Sequence, residues 1–342
     1  MSHRHVFQYL LFIVLLASCN ANPLDVDVSK IRTSQKFTRF DQSVIKVRGE
    51  GRSTAYSSLI DEYGIFGQDY FEFVLQLGNP ADTNTLEVYD HIMGEDSLLM
   101  LSQSEIERIH GPLIEKYNSG LTNAWKHFQF HFPEETVPDI TYINSWFNYA
   151  IVPSDDLVAI GLDFFLGAEN EVTKALPVES FPQYFKRKME PRYVVSDAVR
   201  GWLMVKYQDQ LKQGKLINSL IWYGKMMYLM DVCLPNVADS IKMSYPEGDI
   251  EWCEDSEEGI WLQLANQQVM FETNRFEISK WFVDGPFTRA GDLPQDAPAQ
   301  LGIWTGWQIV RDYMKENPEI SIQDLIDEEN DQKIMKYYDP RN

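Results

Sequence analysis

Cysteine is scarce in this 342-residue chain: three residues, at 19, 233 and 253, too few for a four-thiolate zinc site, an iron–sulfur cluster or a disulfide-dense fold. Histidine is confined to positions 3, 5, 91, 110, 127 and 131, so nothing beyond His131 can supply an imidazole. A zinc-protease HExxH is therefore absent, and the one close pair, His127 and His131, encloses Phe128-Gln129-Phe130 with no glutamate to act as base. Basic charge is short as well. Thirty Lys and Arg stand against 51 Asp and Glu, a formal charge of −21, which excludes nucleic acid as a partner. Past the N-terminus no apolar run approaches the ~18 residues that a membrane span needs. Missing too are the Gly-x-Ser-x-Gly of serine hydrolases and any P-loop, since Gly302-Ile-Trp-Thr-Gly306 carries no lysine. No fixed-period repeat and no Pro/Ser-rich linker divides the interior. Any metal would have to be held by histidine or carboxylate, and no cofactor is expected.

What is present begins with a basic start and an apolar run, Val6 to Ala17, broken only by Gln8. This is a secretory h-region, and it ends in Leu16-Ala17-Ser18-Cys19, the small-residue-then-cysteine pattern of bacterial lipoprotein signals. Residues 1–18 are expected to leave as signal peptide, with Cys19 the lipidated new N-terminus, residues 19–35 a tether and 36–342 a single globular domain. Several acyl chains on one residue anchor without spanning. Cleavage removes Arg4, leaving 29 basic against 51 acidic residues, or −22, so lipid and not protein surface is the anchor. Cys233 and Cys253 remain as a possible disulfide in an oxidising compartment, worth ~3 kcal/mol.

Composition is that of a packed domain, 44% hydrophobic and 13% aromatic. Over Asp69 to Leu77 apolar density is high and the period ambiguous between helix and strand. Leu101-Ser102-Gln-Ser-Glu105-Ile106 reads as a capping box with a hydrophobic staple, predicting a helix start. Between Asp139 and Gly167 short β-branched and aromatic runs predict two or three strands of one small sheet. Val195, Val199 and Trp202 recur at helix spacing. Leu216 to Met230 is apolar almost all round and reads as a buried central helix. Ile303, Trp307, Val310 and Met314 mark a late amphipathic helix stopped at Asn317-Pro318, and Ile320-Ser321-Ile-Gln-Asp324-Leu325 repeats the box and staple. The fold class is α+β: one mostly helical domain with a small sheet.

Three features invite chemistry. His127 and His131 have the i, i+4 spacing of a bidentate metal face or of a bland pair beside the Phe-rich stretch. Glu251, Glu254, Asp255 and Glu258 would share a helix face and attract Ca²⁺, but they lack the EF-hand order, and a solvated face is the preferred reading. Trp304 and Trp307 could stack on carbohydrate, whereas Trp307 fits the apolar stripe and reads as core.

Several phrases taken together carry a resemblance: Ile160-Gly-Leu-Asp163-Phe-Phe-Leu-Gly167, Phe181-Pro-Gln-Tyr184, Pro191-Arg192-Tyr193, Ile221-Trp-Tyr-Gly-Lys225, Glu258-Gly-Ile-Trp261, Gly285-Pro-Phe-Thr288 and Gly302-Ile-Trp-Thr-Gly-Trp307. In this order, behind a lipoprotein signal, they resemble the GldB gliding-motility lipoproteins, over roughly residues 19–340. The resemblance implies a non-enzymatic role in the envelope machinery of surface gliding and its associated secretion system. Other motility or secretion proteins would be the partners. Asn20 after the lipidated cysteine, where inner-membrane retention sometimes places Asp, leaves the outer membrane as the implied location.

A more distant likeness is to zinc proteases in which an HExxH helix is followed by a helix carrying Glu-Gly. It places Ser196-Asp197-Ala-Val-Arg200 over HExxH and Tyr223-Gly224 over Glu-Gly, and implies a metalloprotease-like architecture. Each ligand position would then be lost, and Arg200 would put a permanent positive charge where the metal would sit. The alternatives are an envelope hydrolase or peptidase with Asp197 as base, and a glycan-binding lipoprotein using exposed Trp and Tyr.

Overall fold

Side chains on a strand alternate between its two faces, so a strand apolar at every position must be covered on both sides. One such strand, Leu157–Gly161, lies inside the sheet of this protein. The computed structural model describes residues 22–340 except Gln213; the expected signal peptide and Cys19 lie outside the described residues. Strands β1 (Phe37–Arg39), β2 (Asp139–Ile143), β3 (Ile151–Pro153) and β4 (Leu157–Gly161) form one sheet in the order β1-β2-β4-β3. β1 and β4 run parallel to β2, and β3 closes an antiparallel hairpin on β4. Ile140 pairs with Val158 and Tyr142 with Ile160, and all four enter the main core. Ile143 and Ala159, at the alternate parity, enter a second core with Phe40, Tyr70, Phe71 and Tyr89. The strands expected between 139 and 167 are borne out. β1 is added to them: three residues pairing with a segment about a hundred positions away leave no local signal.

Helices supply the rest. The principal ones are α1 (Arg52–Tyr63), α2 (Thr83–Glu95), α3 (Ser97–His110), α4 (Ile114–His131), α5 (Val194–Lys206), α6 (Leu216–Cys233), the single turn α7 (Asp239–Lys242), α8 (Asp249–Asp255), α9 (Glu257–Leu264), α10 (Leu301–Glu316) and α11 (Ile322–Asp327). α6 is the buried central helix that its all-round apolarity predicts, and it packs on α10, α4 and α5. At α11 the expected box is in place, with Ser321 Oγ accepting from Asp324 N and Asp324 Oδ2 accepting from Ser321 N. The domain is a single α+β unit, mostly helical.

The box at Ser102 does not start a helix. α3 starts five residues earlier, where Asp96 Oδ1 accepts from the N–H groups of Leu98 and Leu99 at 2.9 and 3.0 Å. A carboxylate satisfying two free N–H groups is the stronger cap, and Ser102, buried inside the helix, turns its hydroxyl back to Leu99 O. In the ambiguous stretch Tyr70–Val74 form a π-turn, and Leu75–Leu77 beyond it are not helical. The expected tether touches the domain at several points. Val28 is buried, Leu24 lies on the main core, and Asn22 Nδ2 donates to Pro235 O at 2.6 Å.

Cys233 and Cys253 do not pair: both are free thiols, one ending α6 and one in α8, each buried in the core. Burial pushes both thiols far above their ordinary pKa, which leaves them without the thiolate that exchange requires. The acidic run is split at Ser256, so Glu251, Glu254 and Asp255 sit on α8 and Glu258 on α9, all exposed to solvent. Trp304 and Trp307 are both core residues, and each of the nine tryptophans is buried or half-buried, so stacking on a glycan has no exposed indole to use. His127 is buried with Nδ1 held 2.9 Å from Asn123 O, and among the described residues no three His, Cys, Asp or Glu are grouped to hold a metal ion.

Candidate functional site

Three of the four positions of the protease likeness share one helix, and two of them, Asp197 and Arg200, pair directly. Ser196, Asp197 and Arg200 lie on α5 against the turn that follows α7. Ser196 Oγ donates to Ile241 O at 2.9 Å and to Tyr193 O at 3.2 Å. Asp197 Oδ1 accepts from Arg200 Nη2 at 2.8 Å and from Ser244 Oγ at 2.5 Å. Arg200 also donates to Lys242 O and to Ser244 Oγ. Ser244 is one of few non-glycine residues at positive φ, +53°, and the Asp197–Arg200 pair is what pins it. Both bonds fall on Oδ1, so a permanent cation and a hydroxyl fix the Asp197 carboxylate in place between α5 and the turn after α7. Tyr223 does not join the group. Its ring stacks on Phe282 at 5.0 Å on the side of α6 that lines a groove with Leu211, Ile278 and Val283.

Beside this cluster lies a larger one that the sequence reading missed. Asp231, in the largely apolar α6, accepts from Lys242 Nζ at 2.7 Å, Trp307 Nε1 at 2.8 Å, and Arg311 Nε and Nη2 at 2.7 and 2.8 Å. Asp239 takes the other edge of the Arg311 guanidinium at 2.5 and 2.9 Å, and that guanidinium lies 3.7 Å over the Trp307 ring. Burial works against the charged guanidinium, but the hydrogen bonds to Asp239 and Asp231 outweigh it and raise its pKa. Two anions and two cations close on themselves, joining α6, α7 and α10. One signal is available in the sequence: an aspartate inside a helix apolar almost all round must find a cation.

The third polar site sits under the sheet. Asp163, wholly buried just after β4, accepts from Ser145 N at 2.9 Å, Phe147 N at 2.5 Å and Ser145 Oγ at 3.0 Å. These bonds hold the turn between β2 and β3, in which Trp146 and Phe147 both have positive φ, +56° and +59°. Gly161 lets that turn come close, since a Cβ there would stand 2.2 Å from Tyr149 O. Trp146 stacks flat on Tyr89 at 5.6 Å, and Asn148 Nδ2 donates to Val74 O, a carbonyl at the end of the π-turn.

Burial pushes the Asp163 carboxyl up to about 6, against the hydrogen bonds from Ser145 and Phe147 that favour its charged form. The folded state therefore binds a proton that the unfolded chain releases near pH 4. The contribution is fully present below the unfolded value of 3.8 and is lost as pH rises through about 6. We expect urea-denaturation stability, wild type minus Asp163→Asn, to fall by about 2–3 kcal/mol between pH 4 and pH 7. A pH-independent difference would mean that the carboxyl does not titrate in the fold.

A cavity of ≈ 390 Å³ opens beside Lys225 and is walled by Asp209, Asp327, Glu328, Glu329 and Asp331. Lys225 Nζ donates to Ile326 O at 3.1 Å and Glu328 O at 2.6 Å, closing the C-terminal end of α11. Burial pushes its amine down to about 8, against the raising influence of Asp331 and Glu328.

These sites bind helix to helix and loop to sheet. The family model described as gliding motility protein GldB matches residues 21–340, nearly the whole chain. The chain belongs to the GldB family. Membership makes it a gliding-motility lipoprotein of the cell envelope, a component of that machinery, and confirms the resemblance carried by the ordered phrases. Of the residues described above, Asp163, Lys225 and Trp307 fall within those phrases, at Ile160–Gly167, Ile221–Lys225 and Gly302–Trp307. No curated protein and no solved structure matches this GldB-family chain, so the likeness to a metalloprotease finds no fold to support it.

Proposed function

We propose that this chain is a membrane-anchored, non-catalytic element of the gliding machinery, lipidated on Cys19, which presents a rigid helical surface to other motility or secretion proteins. The observation that carries the reading is that the carboxylates between its elements hold those elements together. Asp197 Oδ1 anchors Arg200 and Ser244; Asp231 and Asp239 pair with Arg311 and Lys242; Asp163 holds the Ser145–Phe147 turn. A hydrolase with Asp197 as base would have to use a carboxylate whose Oδ1 already anchors Arg200 and Ser244. Family membership supports the motility role, and the lipoprotein signal supports the anchor.

In a gliding host, deletion of the gene or Cys19→Ala is expected to abolish colony spreading, with radiolabelled palmitate entering the wild-type protein and not the variant. Normal spreading by the Cys19→Ala strain at wild-type protein levels would defeat the anchoring part of the reading. Stoichiometric zinc or calcium in protein purified without chelators would reopen hydrolysis.

A further inference from the structure

From Asn22 onward the N-terminal segment is fastened to the domain. Asn22 bonds to Pro235 at the end of α6, and Leu24 lies on the main core. Asp25 Oδ1 stands 3.7 Å from His127 Nε2 on α4. Val28 is buried, Gln35 Nε2 donates to Thr122 Oγ1 at 2.8 Å, and Phe37 then enters the sheet opposite Ile140. The strap therefore leaves little free chain: Asn20 and Ala21 alone separate Cys19 from the first fastened residue. Three trans-peptide steps span at most about 11 Å. A flexible tether of fifteen or so residues would let the domain sample any orientation, and one this short cannot.

We infer that the C-terminal end of α6, with the Leu234–Val237 turn and the strap residues Asn22 to Asp27, is the membrane-proximal face and rests against lipid headgroups. This deepens the anchored reading above and rests on it. The opposite end of α6 points away. Asn218 there bonds to Asp331 and lies sixteen residues before Leu234, which at helical rise is about 24 Å. The acidic cavity beside Lys225 and the groove beside Tyr223 are thus turned toward the aqueous side, where a soluble partner reaches them.

The placement can be tested apart from acylation in cells. Cys233 and Cys253 are buried, which leaves Cys19 as the thiol open to maleimide. The mature chain from Cys19 is coupled to phosphatidylcholine vesicles carrying maleimide lipid and phosphatidylethanolamine, and a carbodiimide then joins headgroup amines to the carboxylates they touch. Mapping by mass spectrometry is expected to find amides at Asp25 and Asp27 at least about fivefold more often than at Glu329 and Asp331, because the short strap raises their local concentration at the surface. Twelve Gly/Ser residues inserted between Asn20 and Ala21 should bring the ratio close to one. Equal coupling at all four positions, coupling at none of them, or a ratio unmoved by the insertion overturns the inference. Failure of palmitate to enter Cys19 in cells overturns the anchor instead, and the two results are read independently.

Discussion

Gly224→Ala is expected to be the most damaging single methyl group in the protein. At the crossing of α6 and α10 the two backbones touch: a Cβ on Gly224 would stand 2.1 Å from Gly306 O and 2.5 Å from Gly306 C. The obstacle is backbone on a second buried helix, so no rotamer change can relieve it. α10 must move away from α6, and Trp307, Val310 and Leu220, all fully buried, lose packing with it. Overpacking at a yielding site costs about 1–3 kcal/mol, and an unyielding one between two core helices should cost about 3–5 kcal/mol. Gly306→Ala should do the same, since its Cβ would meet Leu220 O at 2.1 Å. Gly259→Ala in α9 is the control: a Cβ there meets nothing within 4 Å, and the helix should gain up to about 1 kcal/mol. Urea midpoints for the three variants check this, and a Gly224→Ala protein within 1 kcal/mol of wild type would mean that the helices do not cross at these glycines.

The second large effect is electrostatic. Asp231→Ala removes the acceptor shared by Lys242, Arg311 and Trp307. Lys242, with a side chain 4% exposed, keeps only Asp239 at 3.9 Å, and the Trp307 indole N–H has nowhere to donate. Breaking a buried ion pair from one side costs about 3–5 kcal/mol, chiefly because the remaining charge stays in a low-dielectric place. Adding Lys242→Met should restore part of that loss, because the surplus cation goes with it. A double-mutant cycle in urea measures the coupling, expected at about 1–3 kcal/mol and little changed by salt, as a desolvated pair is weakly screened. An additive cycle would show that Asp231 and Lys242 do not share the cluster.

Helices whose burial follows a simple rule were legible in the chain. The all-round apolarity of Leu216 to Met230, the stripe Ile303-Trp307-Val310-Met314 and the box at Ser321 each state their own structure, because period and capping are local. The same rule misplaced the start of α3. Two caps compete there, and the one that satisfies more free N–H groups, Asp96, prevails over a serine that tertiary packing then buries. Of the site positions, Asp197 and Arg200 pair and Ser196 bonds to Ile241 O on α7, while Tyr223 faces elsewhere. The likeness placed residues along helices, but the rotation of α6 about its axis against Phe282 is set by what packs around it.

Two classes of fact divide along the same line. The lipoprotein signal, the lack of imidazole beyond His131, the apolar periods and the family phrases are properties of residue type and spacing, so the chain alone settled the fold class and pointed to the gliding-motility family. The closing of Asp231 on Arg311, of Asp163 on the Ser145–Phe147 turn, the contact of Gly224 with Gly306 and the fastening of Asn22 at Pro235 join residues 16 to 213 positions apart. Which distant pairs meet depends on how every intervening element packs, and local propensity carries no information about that. Cys233 and Cys253 make the same point, since a plausible spacing became two separate buried thiols once the core had placed them.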